Sequence, residues 1–277
     1  MLTSSSRFNW FLGVLLGQFA TLNVAYSQIF ALSEADFVWL GERIFANECA
    51  AEFDCLTSWN KGEDFPSLGI GHFIWFPKGE DSPFEETFPS LLASFQADNI
   101  KLPSWINSNS ETSEVSEIDA PWKSRDQFYS NFDSAETIEL RNFLANTKPE
   151  QVNFIVNRLS RSLDDIVAAF PLNQQATIRE KLSTLAQSHP PYGSYALIDY
   201  VHFKGTGLTL SERYENQGWG LQQVIEEMES KPTTLYSFVQ TAKHMLSRRV
   251  TNAPIERNEQ RWHAGWHKRV ESYLPPP

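Results

Sequence analysis

The chain has 277 residues, a formal net charge of -11 and 41% hydrophobic residues, enough apolar surface for one large domain or two small ones. Its acidic balance argues against nucleic acid as a partner, and against broad attraction to anionic membranes or anionic cell-wall polymers. Nine tryptophans suit a cleft that stacks on sugar rings, although core packing uses the same side chains.

Residues 1–27 read as an export signal. Arg7 supplies a positive flank, 8–24 is mostly apolar, and Ala25 and Ser27 are the small residues a signal peptidase reads. Cleavage before Gln28 leaves 28–277 as a single domain, periplasmic or secreted. The apolar run is too short and too interrupted for a membrane span, and no other segment qualifies. Export permits a disulfide between Cys49 and Cys55, with free buried thiols as the alternative. Metal binding lacks support, because there is no second Cys pair and His72 is the only imidazole nearby. No cofactor is expected.

In chain order, Ser33 with Glu34 and Asp36 reads as a helix cap and an acidic first turn. Phe37, Leu40, Ile44 and Phe45 follow at helical spacing, and Glu48 lies one turn beyond Ile44, at the edge of the same buried face. A carboxylic acid half-buried at a helix C-terminus is favoured in its protonated form by desolvation and by the negative end of the helix dipole. That is what a proton donor needs.

A hairpin comes next. Residues 56–59 form one strand, 60–64 the turn, and 67–70 the return, with glycines at 69 and 71 marking a bend or close backbone approach. An apolar, aromatic run at 73–76 ends at Pro77. A helix over 84–95 carries Glu85 and Glu86 in its first turn. Residues 107–119 form a polar, acidic insertion read as a solvated loop. Helices then follow from Ser134, from about Pro149 and over 177–186. A strongly apolar helix over 195–203 contains Asp199. The compact turn at 214–220 holds Asn216, a last long helix spans 235–246, and the tail over 258–273 wraps back over the domain. The fold class expected is mainly α with a small β-hairpin lobe, an α+β arrangement.

The stretch from Glu48 to Gly69-Ile70-Gly71-His72 resembles phage-type lysozyme: a Glu at the end of the first helix, a short hairpin, then Gly-Ile-Gly-His on the returning strand. The resemblance covers about 30 residues. It implies a lysozyme-like fold and cleavage of an amino-sugar polymer such as peptidoglycan, with the Glu as general acid and a turn acid and a Thr completing the site. Ser67 stands at the Thr position and keeps a hydroxyl. Glu63 or Asp64 would be the turn acid, steadying positive charge on the sugar or orienting a water. Raw spacing would instead match Glu52 to the family acid, but Glu48 fits better by its place on the helix. His72, Trp59, Trp75 and Asn216 are assigned to substrate binding or to bracing the site.

Two functions therefore compete. One is an exported glycosidase of this class; the other is a catalytically inactive lysozyme-like protein that binds glycan or a protein partner in the cell envelope. A metalloprotease reading fails, because His263 and His267 have i,i+4 spacing without the Glu between them that such a motif requires.

Overall fold

A computed structural model of the chain describes residues 29–80, 82–108, 115, 118–210 and 212–276. The expected signal peptide lies outside them, as do 109–114 and 116–117 of the polar insertion. Val115 and Ile118, within that insertion, are 7% exposed, so these two positions pack inward rather than sit in solvent.

Helix α1 spans Glu34–Cys49 and starts at a capping box. The Ser33 hydroxyl accepts from the Asp36 amide, and the Asp36 carboxylate accepts from the Ser33 amide at 2.8 Å, satisfying two otherwise orphan donors. Leu40 and Ile44 are buried, and the helix packs against the long helix α6, Lys148–Ala168. The helix stops where Ala50 and Ala51 turn left-handed, with φ of 49° and 60°. A 3-10 turn, Phe53–Leu56, follows, and the Cys49–Cys55 disulfide closes the loop with a Cα–Cα distance of 5.4 Å.

The β lobe is a three-stranded antiparallel sheet rather than a two-stranded hairpin. Strands β1 (Thr57–Ser58), β2 (Ser67–Leu68) and β3 (Phe73–Ile74) lie in the order β1-β2-β3, with Ser58 opposite Ser67 and Leu68 opposite Phe73. Gly69 has a φ of +68°, and a Cβ there would lie 2.3 Å from Oε1 of Gln151. That oxygen accepts from the Ile70 amide at 2.9 Å, while the Gln151 amide nitrogen donates to Leu144 O at 2.7 Å. The tight turn of the motif is thus plugged by a fully buried glutamine of α6. Arg141, also buried, donates to Thr57 Oγ1 at 2.8 Å and ties β1 to α5, Ala135–Asn146.

The second expected helix starts later than its apolar spacing suggests. Helix α2 is Phe88–Ala97, and Glu85 and Glu86 precede it. Pro89 explains the shift: it suits a first turn, where its missing N–H is not needed, but would break a helix already under way from residue 84. Short helices α3 (Ser104–Ser108) and α4 (Arg125–Ser130) lead to α5 (Ala135–Asn146) and the long α6 (Lys148–Ala168). Helix α7 runs Leu172–Ala186, beginning before residue 177.

Helix α8, Tyr192–Lys204, is buried from Gly193 to Tyr200. Apolar on nearly every side, it is the central helix, contacted by α6, α7 and α9 (Leu221–Glu227). The turn at 214–220 is a two-stranded hairpin, β4 (Arg213–Tyr214) and β5 (Gln217–Gly218). Helix α10 extends over Leu235–Asn252, and the tail forms a further helix, α11 (Gln260–Glu271), packed on α10. The fold is mainly helical with small antiparallel sheets, an α+β arrangement around one contiguous apolar core. No helix among the described residues is long and apolar enough to cross a membrane.

Candidate active site

Glu48 lies in the last turn of α1 with its side chain 15% exposed. It meets two groups from distant parts of the chain. Arg269 Nη2, on α11, donates to Glu48 Oε1 at 2.5 Å, and His202 Nε2, near the end of α8, lies 3.8 Å from the same oxygen. Both approach the same oxygen, Oε1.

Arg269 is locked from behind. Its Nε and Nη2 each donate to Asp199 at 2.8 Å, and Asp199 is 1% exposed. Asp199 also accepts from Tyr273 Oη at 2.6 Å and from Asn47 Nδ2 at 3.0 Å, so every hydrogen-bonding direction of this buried carboxylate is used. Burial alone would lower the Arg269 guanidinium, but the hydrogen bonds and charge of Asp199, with Glu48 behind them, hold it above its ordinary value. The central helix thereby sets the arginine that faces Glu48.

His72 closes the other side. It has a φ of +48° directly after the two glycines, and its Nε2 lies 4.0 Å from Cys49 Sγ and 3.9 Å from Cys55 Sγ. Burial pushes its imidazole below the ordinary histidine value; the charges of Glu48 and Glu63 oppose this and His202 reinforces it. The imidazole therefore senses one carboxylate from the helix end and another from the hairpin turn. Beside His202 opens a cleft of about 220 Å³, lined by Gly71, Phe73, Ile155 and Ile198 among others, with Thr87 and Arg158 at its polar side.

The remaining expected residues separate into groups. Glu63 is half-buried, and its carboxylate accepts from Asn60 Nδ2 at 3.2 Å. Asp64 is exposed in the same turn, and Glu52 is exposed beyond the end of α1. Ser67 is 5% exposed on β2. Trp59 is 2% exposed and its indole N–H donates to Glu63 O at 2.7 Å, so it braces the turn instead of presenting a ring to a sugar. Trp75 is fully buried, donating to Ile118 O at 2.6 Å, and belongs to the core. Asn216 is exposed at the tip of the β4–β5 hairpin.

A second polar cluster lies behind the first. Glu259, 4% exposed, accepts from Arg249 at 2.8 and 2.7 Å and from Tyr214 Oη at 2.9 Å. Lys204, at the end of α8, sits 3.3 Å from the Trp266 ring centre and 3.9 Å from that of Phe203. Burial lowers its amine to about 6, helped by Arg249 and Arg269 and opposed by Glu259. The two clusters meet at Phe203, whose ring also lies under the Arg269 guanidinium at 4.2 Å.

Sequence reasoning did not assign His202, Arg269 or Asp199 to the site. The one available signal was Asp199 itself, an acid inside a helix otherwise apolar enough to be central. Comparisons with models of known families, with curated proteins and with solved structures find no match to this chain.

Proposed function

We propose that the chain is an exported, lysozyme-like glycoside hydrolase acting on a β-1,4-linked amino-sugar polymer such as peptidoglycan. The observation that carries this reading is the placement of Glu48: half-buried at a helix end and 3.8 Å from His202, which lines the cleft. Glu48 donates a proton to the leaving oxygen, and Arg269, fixed by Asp199, stabilises the carboxylate left behind. Glu63 is favoured over Asp64 as the second carboxylate, because its charge is felt at His72 beside Glu48, whereas Asp64 is exposed. Ser67 would hold a water, since its hydroxyl both donates and accepts.

Purified protein tested on peptidoglycan, chitin-like and chitosan-like polymers checks the reading. Glu48→Gln keeps the fold and lowers turnover by about 10²–10⁴-fold, whereas Glu52→Gln, altering an exposed side chain, leaves turnover nearly unchanged. Full activity in Glu48→Gln would sink the assignment.

The alternative is a protein that binds glycan or an envelope partner without turnover. The Arg269–Glu48 pair favours it, because an arginine shared between a helix-end carboxylate and a buried aspartate is also how three helices are clamped together. Glycan retention by the wild type, with no turnover of any of the three polymers, would select this reading.

A further inference from the structure

We propose that Cys49 and Cys55, once reduced, form with His72 a three-ligand site for a zinc-class divalent cation, its fourth position open to water or an exchangeable anion. The inference does not depend on the glycosidase reading, because its test measures metal and not turnover.

The geometry points there. A tetrahedral zinc ion takes sulfur at about 2.3 Å and imidazole nitrogen at about 2.0–2.1 Å, so its ligand atoms are spaced about 3.6 Å for sulfur to nitrogen and about 3.8 Å for sulfur to sulfur. His72 Nε2 already lies 4.0 and 3.9 Å from the two sulfurs, nearly equidistant. All three donor atoms lie within 4.8 Å of one another. On reduction the sulfurs draw apart and the imidazole closes on them by about 0.3–0.4 Å.

The backbone is built for such a cluster. The chain reverses between the two cysteines through Ala50 and Ala51, both left-handed, and the Glu52 amide donates to Cys49 O at 2.8 Å. His72 is likewise held at positive φ, a costly conformation for this residue outside a constrained site. Cys55 and His72 are half-buried and not sealed, so a reductant and an ion can reach them. Two thiolates and one neutral imidazole balance a divalent charge, which suits a partly desolvated position.

The redox step balances with a phosphine or a dithiol as reductant. Two electrons break the Cys49–Cys55 bond and both sulfurs gain protons. The phosphine leaves as its oxide, taking oxygen from water, or the dithiol leaves as its disulfide. Each cysteine then gives up its proton on binding the metal.

The experiment uses the full chain, oxidised or reduced with a phosphine, titrated with cobalt(II) and then back-titrated with zinc. Expected is one cobalt per reduced chain, with a thiolate-to-cobalt charge-transfer band and the visible bands of a tetrahedral site, displaced by zinc and absent from the oxidised chain. The Cys49→Ser, Cys55→Ser double variant loses the bands. His72→Asn, chosen because Asn tolerates positive φ, weakens binding by at least about tenfold and alters the visible spectrum. Mass mapping after alkylation gives a second readout independent of spectra: zinc protects both thiols of the reduced chain. Absence of a thiolate band in the reduced chain, alkylation unaffected by zinc, or unchanged affinity in a folded His72→Asn variant would each overturn the proposal.

Discussion

Two arginine–carboxylate clusters hold the C-terminal helix, and they differ in the sign of what surrounds the arginine. At Arg269 one guanidinium bridges two acids, Asp199 and Glu48, and the acids keep it charged. At Arg249 one acid, Glu259, serves two basic groups, and the second, Lys204, is driven toward its neutral form by burial and by the neighbouring guanidinium groups. The acid-rich cluster reaches the cleft through His202, 3.8 Å from Glu48. The base-rich cluster is stacked on Trp219, Trp266 and Phe203, and its carboxylate is consumed by its own partners. Similar side chains thus keep a cation charged in one place and drive one toward neutrality in the other, decided by which charge is in excess.

The largest effect should come from unbalancing the first cluster. Asp199→Asn turns a buried carboxylate that accepts from Arg269, Asn47 and Tyr273 into an amide facing the same donors, and leaves Arg269 with Glu48 alone. Breaking a buried pair in this way costs about 3–5 kcal/mol, to be read from denaturant unfolding. A loss near zero would mean that Asp199 does not set Arg269, and the contrast between the clusters would fail.

Lys204→Met sharpens the other side of the comparison. Between about pH 6 and the unfolded lysine value of about 10.4, the folded chain keeps this amine neutral while the unfolded chain protonates it. Stability therefore rises with pH across that window, by at most about 1.4 kcal/mol per pH unit. Below about pH 6 both states are charged and the penalty is complete. The methionine variant should show a correspondingly flatter dependence, measured by unfolding at a series of pH values. Parallel curves for variant and wild type would place Lys204 in water.

The smallest effect belongs to Tyr214→Phe. It removes one hydrogen bond to Glu259 but leaves both from Arg249, so a loss of about 1 kcal/mol is expected in thermal or denaturant unfolding.

What could be read from sequence was local. The cap at Ser33, the face through Leu40 and Ile44, the place of Glu48 on it, and the Cys49–Cys55 pairing all follow from residues a few positions apart, and all are found. The helix expected at 84 failed on an equally local point, the position of Pro89. Arg269 was out of reach for a different reason. It is 221 residues from Glu48, and nothing in a tail containing several arginines distinguishes the one that α8 will hold through Asp199. The tryptophans were ambiguous for a chemical reason. An indole suits a sugar and a core equally, and Trp75 went to the core because its N–H finds a carbonyl there.

The glutamine that plugs the Gly-Ile-Gly-His turn ties two separated stretches of chain to a shared evolutionary fate. Gln151 occupies the space a side chain at residue 69 would need, while its amide serves the Ile70 N–H and Leu144 O together. Any side chain at 69 demands a smaller residue at 151, and a smaller residue at 151 strands the amide of Ile70. Related chains should therefore change these positions jointly or not at all, making the pair a marker of this lobe's geometry even where the acids around it have drifted.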